Sequence, residues 1–266
     1  MTRQVIKRTT MLGAIAGDII GSVYEWFGIK TTEFPLFQKE CDFTDDTVMT
    51  IATADSILND VDYAQSYRMF GRRYPDRGYG GNFRIWLETD EAGPYNSWGN
   101  GSAMRISPVG FAFDTVKEVL QQAKKSAEVT HNHPEGIKGS QAAALAIYLA
   151  RTQNSRETIQ KEISDRFDYD LTRTITEIRP RYQFNVSCQG TVPEAIIAFL
   201  ESENFEHAIR LAVSLGGDSD TLACITGGIA QAYYGKIPKD IITEVRKRLP
   251  KEFIEIVDDF TGRYLQ

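Results

Sequence analysis

Gly13, Gly17 and Gly21 recur at every fourth position inside the apolar stretch from Met11 to Phe27. On an α-helix that spacing aligns the glycines along one stripe with almost no side chain. Glycine weakens a helix, but a stripe of it lets another backbone approach closely. A chain that begins this way is constrained to pack helix on helix. The rest of the sequence keeps the helical period. A second helix is expected to start after Thr44-Asp45-Asp46 and run through Val48, Ile51, Ala52 and Ile57. Further helices are expected over residues 62–74, 114–129, 135–151, 192–201, 205–215, 221–234, 240–249 and 253–265. Residues 142–150 are apolar nearly all round, as a central helix should be. Alternating runs are short, and 182–188 is the best strand candidate. No repeat, low-complexity tract or linker divides the chain, so one all-α domain over residues 11–266 is expected, behind a tail of residues 1–10.

At 266 residues the chain is long enough to bury a core without disulfides or structural zinc. Its formal charge of −6, from 30 basic and 36 acidic residues, argues against a partner held by a phosphate backbone. The doublets Arg72-Arg73, Lys124-Lys125 and Lys247-Arg248 read as solvated helix faces, so nucleic acid is not an expected partner. Cys41, Cys188 and Cys224 are odd in number and widely spaced, matching neither a disulfide framework nor a zinc site. A reducing cytoplasm accounts for them most simply. Arg3, Lys7 and Arg8 precede an apolar stretch, as in a signal peptide. Asp18 interrupts that stretch, Glu25 follows it, and no small-residue cleavage site closes it. No apolar run is long enough to span a bilayer. A soluble, cytoplasmic monomer without a membrane partner is expected.

Two acidic motifs lie near opposite ends of the chain. Phe43-Thr44-Asp45-Asp46-Thr47 opens a helix, where Thr and Asp cap the N-terminus and complement the dipole. Gly216-Gly217-Asp218-Ser219-Asp220-Thr221 also precedes a helix and has the same plain explanation. Taken together they carry more. Four carboxylates and two threonine hydroxyls make an all-oxygen ligand set suited to Mg²⁺ or Mn²⁺. If the two helix starts meet, their carboxylates cannot all stay ionised without a cation between them. Two metal ions would relieve that repulsion and clamp substrate oxygens. The spacing is not that of an EF-hand loop, so the site would be assembled by tertiary folding. Glu25 follows Asp18 by seven positions and falls on nearly the same helix face. Glu25 is read as a functional acid, and Asp18 as a buried hydrogen-bonding group.

The loop Gly99-Asn100-Gly101-Ser102-Ala103-Met104-Arg105 leads into a helix, and its exposed backbone N–H groups suit phosphate, although by itself a plain turn is the default explanation. Arg105 faces either an anion or a nearby acid. His131 and His133 stand at i and i+2, but no cysteine or third histidine lies close by, so a structural or substrate-contacting His131 is expected rather than a zinc ligand. Tyr79, Phe83 and Trp98 suit either a base-stacking surface or the core. No Ser-His-Asp or Cys-His arrangement is legible, and covalent catalysis is not expected.

These pieces together resemble the ADP-ribosylglycohydrolases, the group that includes the dinitrogenase reductase-activating glycohydrolase. The resemblance rests on Gly13-Ala14-Ile15-Ala16-Gly17-Asp18 with Glu25, on Thr44-Asp45-Asp46, and on Gly99 to Arg105. Thr130-His131, Val192-Pro193-Glu194-Ala195, Gly216 to Thr221 and the segment from Gly227 to Gly235 complete it, in the family's order. It implies an orthogonal all-α fold with two Mg²⁺ or Mn²⁺ ions held by Thr44, Asp45, Asp46, Asp218, Asp220 and Thr221. It makes Asp45 and Glu25 the catalytic acids beside the metals. It assigns the loop of Asn96, Ser97, Trp98, Gly99, Asn100, Gly101 and Ser102 to the diphosphate and distal ribose, and His131 to substrate contact. The stretches between Tyr79 and Asn96 and between Phe167 and Ser187 match least, and would shape leaving-group specificity. The implied substrate is an ADP-ribosylated protein or a small ADP-ribosyl compound, with arginine-linked ADP-ribose favoured. ADP-ribosyl-serine, O-acetyl-ADP-ribose and modified nucleic-acid ends are alternatives. A non-catalytic ADP-ribose reader and a purely structural descendant are competing readings, which the intact acidic motifs disfavour.

Overall fold

The computed structural model describes residues 10–264, and the tail expected over residues 1–10 lies outside them except for Thr10, which is buried against Thr261. The helices run α1 (Leu12–Gly21), α2 (Asp45–Asn59), α3 (Tyr63–Arg73), α4 (Gly81–Glu88), α5 (Gly101–Met104), α6 (Ser107–Ala112), α7 (Val116–Glu128) and α8 (Pro134–Arg151). They continue with α9 (Arg156–Phe167), α10 (Ile175–Ile178), α11 (Cys188–Leu200), α12 (Phe205–Val213), α13 (Ser219–Tyr234), α14 (Lys239–Arg248) and α15 (Lys251–Tyr264). No helix among the described residues is long and apolar enough to cross a membrane.

The glycine stripe does what its spacing requires. α1 packs most extensively on α13, which also meets α8, α11 and α12 at the centre of the fold. A Cβ on Gly17 would sit 1.9 Å from the carbonyl oxygen of Ala223 in α13, and one on Gly21 would sit 2.5 Å from Asp220 Cα. Only glycine permits so close a crossing. The α1 residues are buried on every side. α8 is the other central helix, buried along most of its length and packed against α5, α6, α7, α11 and α13.

Three expectations need correction. The helix expected from Met11 to Phe27 stops at Gly21 and passes into a 3₁₀ turn over Ser22–Tyr24, so Glu25 reaches its place through that turn. Trp26 and Phe27 beyond it are exposed. The segment 182–188 forms no strand ladder; one isolated bridge joins Ser187 to Gly99, because no neighbouring extended segment continues the pairing. No helix was expected between residues 74 and 114 before the Gly99 loop, yet α4 begins at Gly81. Two further helices, α9 and α10, were not expected either. α9 is capped by the Ser155 side chain, and α10 carries a capping box between Thr174 and Glu177. Ser or Thr followed three residues later by Glu is legible in sequence, and could have placed α10.

Candidate active site

The acidic site is built where α1, α2 and α13 meet. Asp18, fully buried in α1, accepts hydrogen bonds from the backbone N and hydroxyl of Thr44 (3.0 and 2.7 Å) and from the backbone N and hydroxyl of Thr47. Those four bonds tie α1 to the first turn of α2. Thr44 is also the N-cap of α2, its hydroxyl accepting from Asp46 N at 3.3 Å. Thr44 therefore caps α2 and lines the cleft as well. Gly216 and Gly217, both at positive φ (70° and 72°), make the sharp turn ahead of α13 that only glycine adopts without strain. Asp218 occupies the N-cap position of α13, yet its side chain makes no capping hydrogen bond. It accepts instead from Asn100 Nδ2 at 2.7 Å.

The carboxylates converge. Glu25, Asp218 and Asp220 each present an oxygen within 4.8 Å of the other two. Asp46 joins from α2, its Oδ2 accepting from Thr221 Oγ1 at 3.2 Å. The other oxygen of Asp46 is buried without a hydrogen-bond partner among the described residues. A buried, unpaired carboxylate oxygen is costly unless a cation completes it. Half-buried Asp45 faces Gly78, where a Cβ would lie 3.3 Å from its Oδ1. Burial pushes every one of these acids upward. Glu25 rises to about 7, through burial and then the charges of Asp218 and Asp18. Asp18 rises to about 6 by burial, against the pull of its threonine hydrogen bonds. Asp45, Asp46 and Asp220 are held well above the carboxylate range by burial and then by the charges of neighbouring acids, Asp18 and Asp218 among them, and Asp218 is raised by burial. So many acids in one place suit a hard divalent cation, and the all-oxygen donors fit one.

The acids form the floor of a cleft of about 960 Å³, within the usual range for a small-molecule site. Its wall includes Asn96, Ser97, Trp98, Gly99, Asn100, Gly101 and His131. Asn96 adopts a left-handed conformation (φ 55°), and its N donates to Asn132 Oδ1 at 2.7 Å. Asn100 N donates to Val186 O at 2.7 Å, which ties the loop to the 182–188 segment. Ser102 departs from expectation. It is fully buried, and its hydroxyl donates to Gly136 O of α8 at 2.7 Å, so the side chain turns away from the cleft. Arg105 pairs with no acid among the described residues. It is buried over the Tyr67 ring, 4.3 Å from the centroid, and donates through Nη2 to Ser126 O and Thr130 Oγ1.

The whole arrangement follows one family's order of motifs. The ADP-ribosylglycohydrolase family model matches residues 6–266. The chain belongs to this family. Its members are glycosidases acting on ADP-ribosylated substrates, and the chain is an enzyme of that class. ADP-ribosylhydrolase ARH3 of Xenopus tropicalis is 27% identical over 304 residues, covering 86% of this chain and 87% of that protein. The Homo sapiens ARH3 is 27% identical over 315 residues, covering 86% and 85%. The putative ADP-ribosyl glycohydrolase L543 of Acanthamoeba polyphaga mimivirus is 28% identical over 303 residues, covering 90% of each chain. A solved structure titled ADP-ribosylglycohydrolase-related protein complex shares the fold, with a TM-score of 0.76, 24% identity, and coverage of 97% and 98%.

One pair of cleft residues was not read from the sequence. Trp26, 74% exposed, stacks on Phe184 with ring centroids 5.6 Å apart, and both line the cleft beside Glu25. Phe184 lies 158 positions further along the chain, in a segment without regular structure, so nothing local pairs the two rings. The Tyr79 hydroxyl is buried without a partner among the described residues, and the ring lines the cleft on the side of Asp45.

Proposed function

We propose that this glycohydrolase cleaves the bond between ADP-ribose and a modified protein residue, with arginine-linked ADP-ribose as the favoured substrate. The observation that carries this reading is the convergence of Glu25, Asp46, Asp218 and Asp220 on one cleft, where one Asp46 oxygen is buried without a hydrogen-bond partner among the described residues. Thr44, Asp45, Asp46, Asp218, Asp220 and Thr221 would hold Mg²⁺ or Mn²⁺, two ions by the count of donors. When bound, the ions supply positive charge that orients the distal-ribose hydroxyls. The remaining work falls to the chain itself. Glu25, half-buried beside Asp218 and Asp220, can take a proton from water or give one to the leaving group. Asp45 is the second proton-handling acid. The other carboxylates steady the positive charge that develops on the sugar as the glycosidic bond opens. The loop from Asn96 to Gly101 and His131 would hold the diphosphate and ribose, and the backbone of Ser102, rather than its side chain, would belong with them. The Trp26–Phe184 stack beside Glu25 offers an aromatic face to a planar cation, which fits a guanidinium leaving group. Serine-linked ADP-ribose and O-acetyl-ADP-ribose are the other substrates to compare. The three cysteines are free and buried, which fits a reducing compartment such as the cytoplasm.

The test is release of free ADP-ribose, measured by chromatography, from arginine-linked and serine-linked peptides and from O-acetyl-ADP-ribose, with Mg²⁺, Mn²⁺ or EDTA. Arginine-linked substrate is expected to turn over fastest, only with metal, and not in Asp45→Ala. Tight binding of ADP-ribose with no turnover of any linkage would replace this reading with a non-catalytic reader.

A further inference from the structure

The cleft wall contains a hydrogen-bonded chain that runs away from the acids, through groups that the glycosidic chemistry does not use. His131 is 5% exposed, and its Nδ1 lies 2.7 Å from Thr130 Oγ1. Thr130, fully buried, also receives Arg105 Nη2 at 3.0 Å on the same oxygen. The opposite edge of the imidazole faces the loop: a Cβ built on Gly101 would lie 3.1 Å from His131 Nε2, and one on Gly99 would lie 3.5 Å from it.

Proton counting fixes the direction of this chain. A threonine hydroxyl has one proton and two lone pairs, whereas a guanidinium only donates. Among the described residues, Thr130 Oγ1 has two side-chain partners within hydrogen-bond distance, Arg105 Nη2 and His131 Nδ1. Arg105 cannot accept, so the hydroxyl proton must go to Nδ1. A proton on Nδ1 would leave the buried hydroxyl proton without an acceptor, at the cost of an unsatisfied polar group. A neutral imidazole that accepts at Nδ1 carries its proton on Nε2.

We propose that Arg105 and Thr130 are positioning residues that lock His131 as the neutral Nε2–H tautomer, so that it presents a fixed donor over Gly99 and Gly101 to an oxygen of the bound ligand. Burial and the nearby Arg105 charge also hold the imidazole in its neutral form, far below its ordinary titration range. The surrounding backbone keeps the pair rigid. Thr130 N and His131 N both donate to Ala127 O at the end of α7, and Tyr95 N donates to Thr130 O. The same scaffold explains Arg105. It is buried at the cleft wall, held by Ser126 O and the Tyr67 ring, and it bears on His131 through Thr130.

The identity of the ligand oxygen rests on the ADP-ribose reading, but the tautomer does not, and the two are tested separately. The chain has three histidines, so ring nitrogens can be assigned in long-range ¹H–¹⁵N spectra of the full chain with Mg²⁺. His131 is expected to show a protonated Nε2 and a bare Nδ1, unchanged from pH 6 to 8 and without ligand. Thr130→Val should release that pattern into a mixture and weaken ADP-ribose binding about tenfold, the loss of one oriented donor. Thr130→Ser should restore both. Arg105→Lys, which still donates to Thr130, should keep the tautomer. A proton on Nδ1 in the wild type overturns the proposal, as does a Thr130→Val protein that keeps both tautomer and affinity. A wild type that shows the expected tautomer but does not bind ADP-ribose overturns the assignment of the ligand and leaves the lock standing.

Discussion

Gly17→Ala tests the contact on which the site is assembled. The added Cβ would lie 1.9 Å from Ala223 O, 2.3 Å from Ala223 C and 2.7 Å from Cys224 N, all of them backbone atoms. Real Cβ contacts do not fall below 3.0 Å, so α1 must retreat from α13 by about 1 Å. Overpacking by one methyl group typically costs about 1–3 kcal/mol. The upper end applies here, because helix backbone cannot swing aside as a side chain can. Replacing glycine by alanine inside a helix returns up to about 1 kcal/mol, which leaves a net loss of about 2 kcal/mol. With a urea m-value of about 3 kcal/mol per molar, the unfolding midpoint should fall by about 0.7 M at unchanged slope. Gly262→Ala is the control. It lies exposed in α15 with nothing within 4 Å of an added Cβ, and is expected to be neutral or stabilising by up to about 1 kcal/mol. A second readout links packing to chemistry. α1 carries Asp18, and α13 begins beside Asp218, so the rise in Tm on adding Mg²⁺ should shrink in Gly17→Ala. A Gly17→Ala midpoint equal to wild type, or equal losses in both variants, would refute the close-packing account.

Mg²⁺ or Mn²⁺ should raise the Tm of the wild type by linkage, and Asp218→Ala or Asp220→Ala should abolish most of that rise; a full rise in both variants would remove the metal assignment. Without a divalent cation, the native state keeps protons on Asp18 (about 6, from an ordinary 3.8) and Glu25 (about 7, from 4.5) that the unfolded chain has already lost. Stability in EDTA should therefore fall as pH rises from about 4 to about 7, and Mg²⁺ should restore it at pH 7.5; a higher Tm in EDTA at pH 7.5 than at pH 5 would contradict this. Gly101→Val places a side chain against His131 Nε2 at a position without positive φ, so ADP-ribose affinity should drop at least tenfold while the Mg²⁺ response persists. Calorimetric titration and thermal melts on the same sample check both, and unchanged affinity in a folded variant would make the loop a plain turn.

Periodicity alone determined much of this protein. The fourfold glycine spacing dictated a close helix pair, and the structure supplies its partner in α13. The apolar run at 142–150 dictated a central helix, and both Asp-rich helix starts are legible, the one at 44–46 through the Thr44 cap and the one at 218–221 through an acid in its first turn, although the Asp218 side chain makes no capping bond. Side-chain direction was not legible, because it depends on which helix lies opposite. Ser102 belongs to the loop by sequence, yet α8 passes behind it and offers Gly136 O, so its hydroxyl turns inward. Arg105 presented two open roles, and the position of Thr130 at the end of α7 assigned it a third. Glu25 was placed beside Asp18 on one continuous helix face, but α1 breaks at Gly21, and a 3₁₀ turn delivers the acid to Asp218 and Asp220 instead. The run at 182–188 alternates like a strand, but a strand is a pairing and not a property of one segment. With only Gly99 to bridge, it remained a coil whose Phe184 meets Trp26 at the mouth of the cleft.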